Sequence, residues 1–274
     1  MDGIWIWIFI AFFLIWPQIQ QKQLAYRRYS ALKSCEKKRG TRIITLIHRQ
    51  ENTGFFGMFS RSYIDIEDSE AVLRAIRMTE SETPIDIVLH TPGGLVLASE
   101  QIASALAAHP SKVTAIVPHY AMSGGTLIAL AADEILMDPF AVLGPVDPQL
   151  GQYPAASILK AVEAKPIARV SDETLIFADM SRKAIDQTYQ FVCQLLKKRM
   201  PEQQANELAM QLTQGTWTHD YAITADKALE MGLPVQTNLL DQVCDLMSLY
   251  SQGSSQRPSV QYIPLPYKDY HKNE

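Results

Sequence analysis

The sequence is short of cysteine, of charge imbalance and of any repeat. Its three cysteines, Cys35, Cys193 and Cys244, are an odd number spread over 274 residues without a C-x-x-C pair. That excludes a disulfide framework and offers no zinc-ligand spacing. Lys and Arg number 25 against 29 Asp and Glu, a net charge of −4, so the basic excess of a nucleic-acid binder is missing. No G-x-G-x-x-G follows a strand-like run, so no dinucleotide site is expected, and neither cofactor nor metal is called for. With 47% hydrophobic residues, 13 Gly and 15 Pro, the chain fits neither wholesale disorder nor a collagen-like repeat. Its length suits one α/β domain with appendages.

Charge is also missing from the N-terminus. Gly3 to Trp16 (GIWIWIFIAFFLIW) carries no charged or polar side chain, and Pro17 to Ile19 extend it toward the ~20 residues of a membrane span. Only Asp2 precedes the run, and bulky Trp16-Pro17-Gln18 follows it, which is unlike a signal peptide. The basic residues Lys22, Arg27, Arg28, Lys33, Lys37, Lys38 and Arg39 all lie downstream. Residues 1–20 therefore read as a single-pass membrane anchor helix and 21–40 as a basic stalk, with the body on the cytoplasmic side by the positive-inside rule. An interfacial helix or a signal sequence is the alternative. Residues 251–274 read as a polar C-terminal tail, leaving 41–250 as the globular domain.

Within that domain, Arg42 to His48, Pro84 to His90 and Lys112 to Pro118 are short apolar, β-branched runs that read as buried strands. Asp68 to Thr79 and Leu95 to Ala108 have helical spacing, as do longer stretches near 179–199 and 201–213. Glu134 to Met137 and Ala141 to Leu143 read as further short strands. Alternating strands and helices predict a mainly parallel sheet wrapped by helices.

Two glycine pairs end successive strands and open helices. Gly93-Gly94 follows the second strand; Met122-Ser123-Gly124-Gly125 follows the third. Neighbouring parallel strands end at the same sheet edge, so the two turns are expected to converge. One turn supplies a hydroxyl at a helix N-terminus and the other unobstructed backbone N–H groups, the minimum for acyl transfer. A mere N-cap at Ser123 and a plain tight turn at Gly93-Gly94 are the structural alternatives. The elbow G-x-S-x-G is not matched, because position 121 is Ala.

The stretches IDIVLHTPGG and VTAIVPHYAMSGGTLIALAADEILMDPFAVLGPVDPQ resemble the Clp-fold serine peptidases, in particular the membrane-associated serine dehydrogenase proteinase family related to signal peptide peptidase A. The resemblance spans about Arg42 to Leu240. It implies a Clp/crotonase fold of stacked ββα units, with Ser123 as nucleophile and Gly93, Gly94 and Gly124 framing the oxyanion hole. It implies a peptide or protein substrate, with membrane-associated substrates among the candidates, and a homo-oligomer.

The general base is less determined. Where Clp peptidases carry their His, this chain reads Val142-Leu143-Gly144-Pro145-Val146-Asp147-Pro148, and Asp147 reads as a turn residue. Relatives of signal peptide peptidase A use a lysine, which makes Lys183 a candidate provided that burial lowers its pKa. His219-Asp220 is the rival, since Thr218 to Leu233 resembles the Clp segment whose Asp orients the His. Asp220 would then orient His219 or Lys183. A catalytically weak scaffold for membrane partners and crotonase-like thioester chemistry are the competing functions.

Overall fold

The computed structural model describes residues 2–48, 63–238 and 241–250; the loop at Gly54 to Phe59 and the tail 251–274 lie outside the described residues. Helix α1 (Asp2–Arg39) leads into β1 (Arg42–Ile47), α2 (Ile66–Arg77), β2 (Ile85–His90), α3 (Val96–Ala107) and β3 (Val113–Val117). Next come β4 (Tyr120–Ala121), α4 (Gly124–Ala129), β5 (Glu134–Met137) and β6 (Val142–Leu143). The hairpin β7 (Gln149–Leu150)–β8 (Tyr153–Pro154) precedes α5 (Ala155–Glu163), α6 (Asp172–Leu196) and α7 (Glu202–Thr213). The described chain closes with β9 (Ile223–Thr224), α8 (Ala225–Glu230), β10 (Val235–Gln236) and α9 (Asp241–Ser248).

Five strands form a parallel sheet in the order β1-β2-β3-β5-β10. Its central strands are buried throughout, as parallel strands covered on both faces must be. Alternate residues divide between two cores, because side chains on a strand point to opposite faces. Ile85, Ile87 and Leu89 join Ala98, Ile102 and Leu127 on the face that carries α3 and α4. Val88, Ile116 and Leu136 meet Cys35 of α1 and Val243 and Met247 of α9 on the other. A small second sheet, β4-β6-β9, stands beside the main one. It is joined to it where Thr91 bridges Ala121.

Helix α1 corrects the expectation of a membrane span. Among the described residues, no helix is both long and apolar enough to cross a membrane. The uncharged run Gly3 to Trp16 is about 14 residues, or ~21 Å of helix against ~30 Å of hydrocarbon. Polar Gln and Lys residues then take over within the same helix. The single-pass localisation, and the cytoplasmic placement drawn from it, are withdrawn with the span.

Residues 21–39 of the expected stalk continue α1 and dock its C-terminal end on the sheet. The Glu36 carboxylate accepts from the Ile43 N–H at 3.1 Å. Arg28 donates to the Leu249 carbonyl and lies 4.2 Å from the centre of the Tyr250 ring. Arg39 forms a two-nitrogen contact with Asp86, whose carboxylate also accepts from the Thr41 hydroxyl at 2.7 Å. Asp86 is fully buried on β2, so removing the cation strands a carboxylate in the core. Arg39→Met is expected to cost about 3 kcal/mol in equilibrium urea unfolding. Arg39→Met combined with Asp86→Leu is expected to cost less than Arg39→Met alone.

Candidate active site

Two turns meet at the C-terminal edge of the main sheet, as the strand order requires. β2 ends in Thr91-Pro92-Gly93-Gly94, and β3 runs through β4 into Met122-Ser123-Gly124. They are stitched together by backbone bonds from Thr91 N–H to Tyr120 O (3.2 Å) and from Met122 N–H to Thr91 O (3.0 Å). Thr126 fastens α4 from below: its hydroxyl donates to Ala121 O at 2.7 Å and accepts from Gly144 N–H at 2.9 Å.

Ser123 sits at φ 51°, ψ −115° and is the sole non-glycine residue with positive φ among the described residues. Such a conformation is unfavourable for a residue with a Cβ and persists only where surrounding structure enforces it. The side chain does not cap α4, which disposes of the N-cap alternative. Gly93 lies against it with φ +104°, and a Cβ there would stand 2.7 Å from Ser123 Cβ and 2.9 Å from Met122 O. Both the dihedral and the space therefore demand glycine.

The orientation of the Gly93–Gly94 peptide follows from its neighbours. Ile64 N–H donates to Gly93 O and Leu95 N–H donates to Ile64 O, each at 2.8 Å. In a trans peptide, N–H and C=O point in opposite directions, so Gly94 N–H is turned away from Ile64 and toward the serine turn. A Cβ built on Gly124 would lie 3.5 Å from Gly94 N. The Gly124 N–H opens α4 and lacks an intrahelical acceptor. Gly93 N–H, by contrast, is taken by Thr91 Oγ1 at 3.2 Å. Gly94 and Gly124 thus present the two available donors, with Gly93 supplying the room.

A cavity of about 560 Å³ opens over these turns, lined by Gly93, Gly94, Ser123 and Gly124 together with Asp147, Gln149 and His219. His219 occupies a turn closed by Tyr221 N–H to Thr218 O at 2.9 Å. The rings of Trp217 and Tyr221 stack across that turn with centroids 5.0 Å apart. His219 Nδ1 lies 2.7 Å from Asp147 Oδ1. Asp147 is only 3% exposed, and Gln149 Nε2 donates to its other oxygen at 2.7 Å. The hydrogen bond that His219 donates to Asp147 holds the imidazole pKa above its ordinary value. Partial burial opposes that rise, and the charges of Asp147 and Asp220 add to it. No hydrogen bond joins Ser123 Oγ to His219 directly; nucleophile–base contacts often tighten only when substrate is bound.

Asp220 is exposed and acts on His219 through its charge alone; the carboxylate that holds the ring is Asp147, 72 positions before it. Lys183 stands apart from the group. It lies on α6, 68% exposed, paired with Asp179 one turn earlier at 2.5 Å, and does not line the cavity. The desolvation that a lysine base needs is absent there. Among the described residues, no three His, Cys, Asp or Glu are grouped to hold a metal ion.

The parallel α/β domain thus carries a strained serine between two glycine turns, in a cleft that a His–Asp pair also lines. The chain belongs to the ClpP-like SDH-type serine proteinase family, which matches residues 1–274, and it is a serine peptidase with a ClpP-like fold. It is 56% identical to the uncharacterized protein MJ0137 of Methanocaldococcus jannaschii, over 96% of this chain and 92% of that one. Solved structures similar to it include a variant of the 1510-N membrane-bound stomatin-specific protease (20% identity, TM-score 0.44, 67% of this chain and 79% of that one). ClpP1 from Listeria monocytogenes is another (14% identity, TM-score 0.46, 75% and 96%).

Proposed function

We propose that the protein cleaves peptide bonds through an acyl-enzyme on Ser123, with His219 as general base and Asp147 as the carboxylate that orients it. The observation that carries this reading is the 2.7 Å contact of Asp147 with His219 Nδ1 in the cleft that Ser123 lines. With Nδ1 donating to Asp147, Nε2 is left as the basic nitrogen. Ser123 Oγ attacks the scissile carbonyl while Nε2 takes its proton. Gly94 and Gly124 N–H groups stabilise the oxyanion that develops. The C–N bond then breaks as His219 returns the proton to the leaving amine. Water, deprotonated by the same nitrogen, hydrolyses the ester and frees Ser123.

The Ser123–Lys183 dyad is the weaker alternative, since Lys183 is solvated and paired with Asp179. Substrates on this reading are peptide segments that fit an open cleft, with Tyr63, Val96, Leu127 and Val146 as apolar walls. Self-association is supported by the exposed side chains of Ile167, Ile176 and Met180, which a second copy would cover. The test is the residue that a fluorophosphonate modifies. On this reading Ser123 alone carries the phosphonyl group, and its appearance on another residue refutes the assignment.

A further inference from the structure

His48 takes no part in the chemistry above, yet it is 10% exposed and hydrogen-bonded through both ring nitrogens. It follows β1 at the sheet edge, where its N–H donates to His90 O at 2.7 Å. Nε2 lies 3.1 Å from Asp68 Oδ2 and Nδ1 lies 2.9 Å from Thr91 Oγ1. Asp68 is itself fixed, because the same oxygen accepts from Asp65 N–H at 3.0 Å in the capping box of α2. Thr91 is fully buried, and its hydroxyl oxygen is the acceptor for Gly93 N–H at 3.2 Å.

The donor order along this chain follows from chemistry. A carboxylate only accepts, so Nε2 carries the hydrogen toward Asp68, and the neutral ring presents Nδ1 as a bare acceptor. The Thr91 hydroxyl therefore donates to His48 and turns its lone pairs toward Gly93 N–H. Without that acceptor, the nearest alternative for the hydroxyl is Gly93 O at 3.4 Å. That carbonyl already receives Ile64 N–H, the bond that keeps Gly94 N–H facing the serine.

We infer that His48, held by Asp68, is a positioning residue for peptide-bond cleavage: it sets the Thr91 hydroxyl so that the Gly93–Gly94 peptide stays aimed as an oxyanion donor. The inference rests on Ser123 being the nucleophile of a serine peptidase. The backbone contacts of Thr91 and the β1–β2 pairing do not involve the ring of His48, so removing it perturbs the oxyanion donor without dismantling the sheet edge.

The experiment uses the full chain, a peptidyl p-nitrophenyl ester as substrate, and a peptide aldehyde of the same sequence, which forms a tetrahedral adduct with a serine. His48→Leu is expected to lower kcat by about 10- to 100-fold, short of deleting a donor outright. KM should stay within about twofold, and aldehyde affinity should fall in step with kcat. Asn places its Oδ1 near the position of Nδ1, so His48→Asn is expected to recover activity to within about threefold of wild type. Thr91→Val should reproduce the loss, and the His48→Leu/Thr91→Val pair should be no worse than either alone, as members of one chain are not additive. Additive losses, unchanged kcat in His48→Leu and Thr91→Val, or a deficit that His48→Asn does not relieve overturn the inference. Failure of the wild type to form an acyl-enzyme or bind the aldehyde instead overturns the reading beneath it.

Discussion

Ser123→Ala is expected to lower single-turnover acylation by a peptidyl ester about 10⁴- to 10⁶-fold, the range seen when a nucleophile is deleted from a unit that acts together. The residual rate would come from the Gly94 and Gly124 donors and substrate binding alone. The backbone makes a second demand at this position. At φ 51°, ψ −115° a Cβ is strained, and the strain serves to hold Oγ over the cleft rather than against α4. Ser123→Gly removes both hydroxyl and Cβ, so it should be as inactive as Ser123→Ala yet more stable than wild type by about 1 kcal/mol in thermal or urea unfolding. A wild type more stable than Ser123→Gly would mean that the turn is not strained.

The second large effect belongs to Asp147. Asp147→Asn should reduce acylation by about 10⁴-fold, because an amide in place of the carboxylate no longer holds the imidazole in its reactive tautomer. His219→Ala should fall at least as far, about 10⁴- to 10⁶-fold, because Asp147 acts only through that ring, and Lys183→Ala should match wild type. The pH profile adds a sign. The base works when neutral, and the hydrogen bond that His219 donates to Asp147 raises the imidazole pKa above 6.5. The acid limb of kcat/KM in wild type should therefore lie above that value, and in Asp147→Asn it should move to lower pH. The same contact stabilises the fold most below the unfolded value near 6.5, where imidazole is charged in both states. That stability fades as pH rises through the raised folded pKa, so Asp147→Asn should lose more stability at pH 5 than at pH 8. Equal losses at both would contradict the ion-pair assignment.

The parallel sheet was legible because its strands are buried on both faces and appear as unbroken apolar runs: PIDIVLH and KVTAIVP fall on β2 and β3 to within a residue or two at each end. The convergence of Gly93-Gly94 with Ser123 followed from the same logic, since parallel neighbours end together. What was hidden lay in short elements. Helix α5 is amphipathic but only nine residues long, and it and the two-residue strands of the β7–β8 hairpin follow the turn-forming Pro145 and Pro148. The continuity of α1 escaped notice because its composition changes halfway, while polar Gln, Lys and Arg continue a helix as well as apolar residues do. The apolar half then suggested a span that its length does not support.

The contact between Asp147 and His219 had the least to announce it. In Gly144-Pro145-Val146-Asp147-Pro148 the acid looks like a turn residue, and no spacing rule links it to His219, 72 positions later. A signal was nevertheless present. The segment that resembles the Clp histidine site carries an acid, and the segment that resembles the Clp aspartate site carries a histidine. Reading each site separately made the first look empty and drew attention to Lys183, whose side chain turned out to be solvated.

His219 and Ser123 must act on the same bound substrate, within reach of adjacent atoms. A peptidyl chloromethyl ketone tests this, because the serine adds to its ketone while the neighbouring base displaces chloride at the adjacent methylene. Mass mapping of the inactivated full chain should find the alkyl group on His219, and Ser123→Ala should slow the reaction sharply. Alkylation of Lys183, or of no residue lining the cleft while fluorophosphonate still labels Ser123, would contradict the Ser123–His219–Asp147 arrangement.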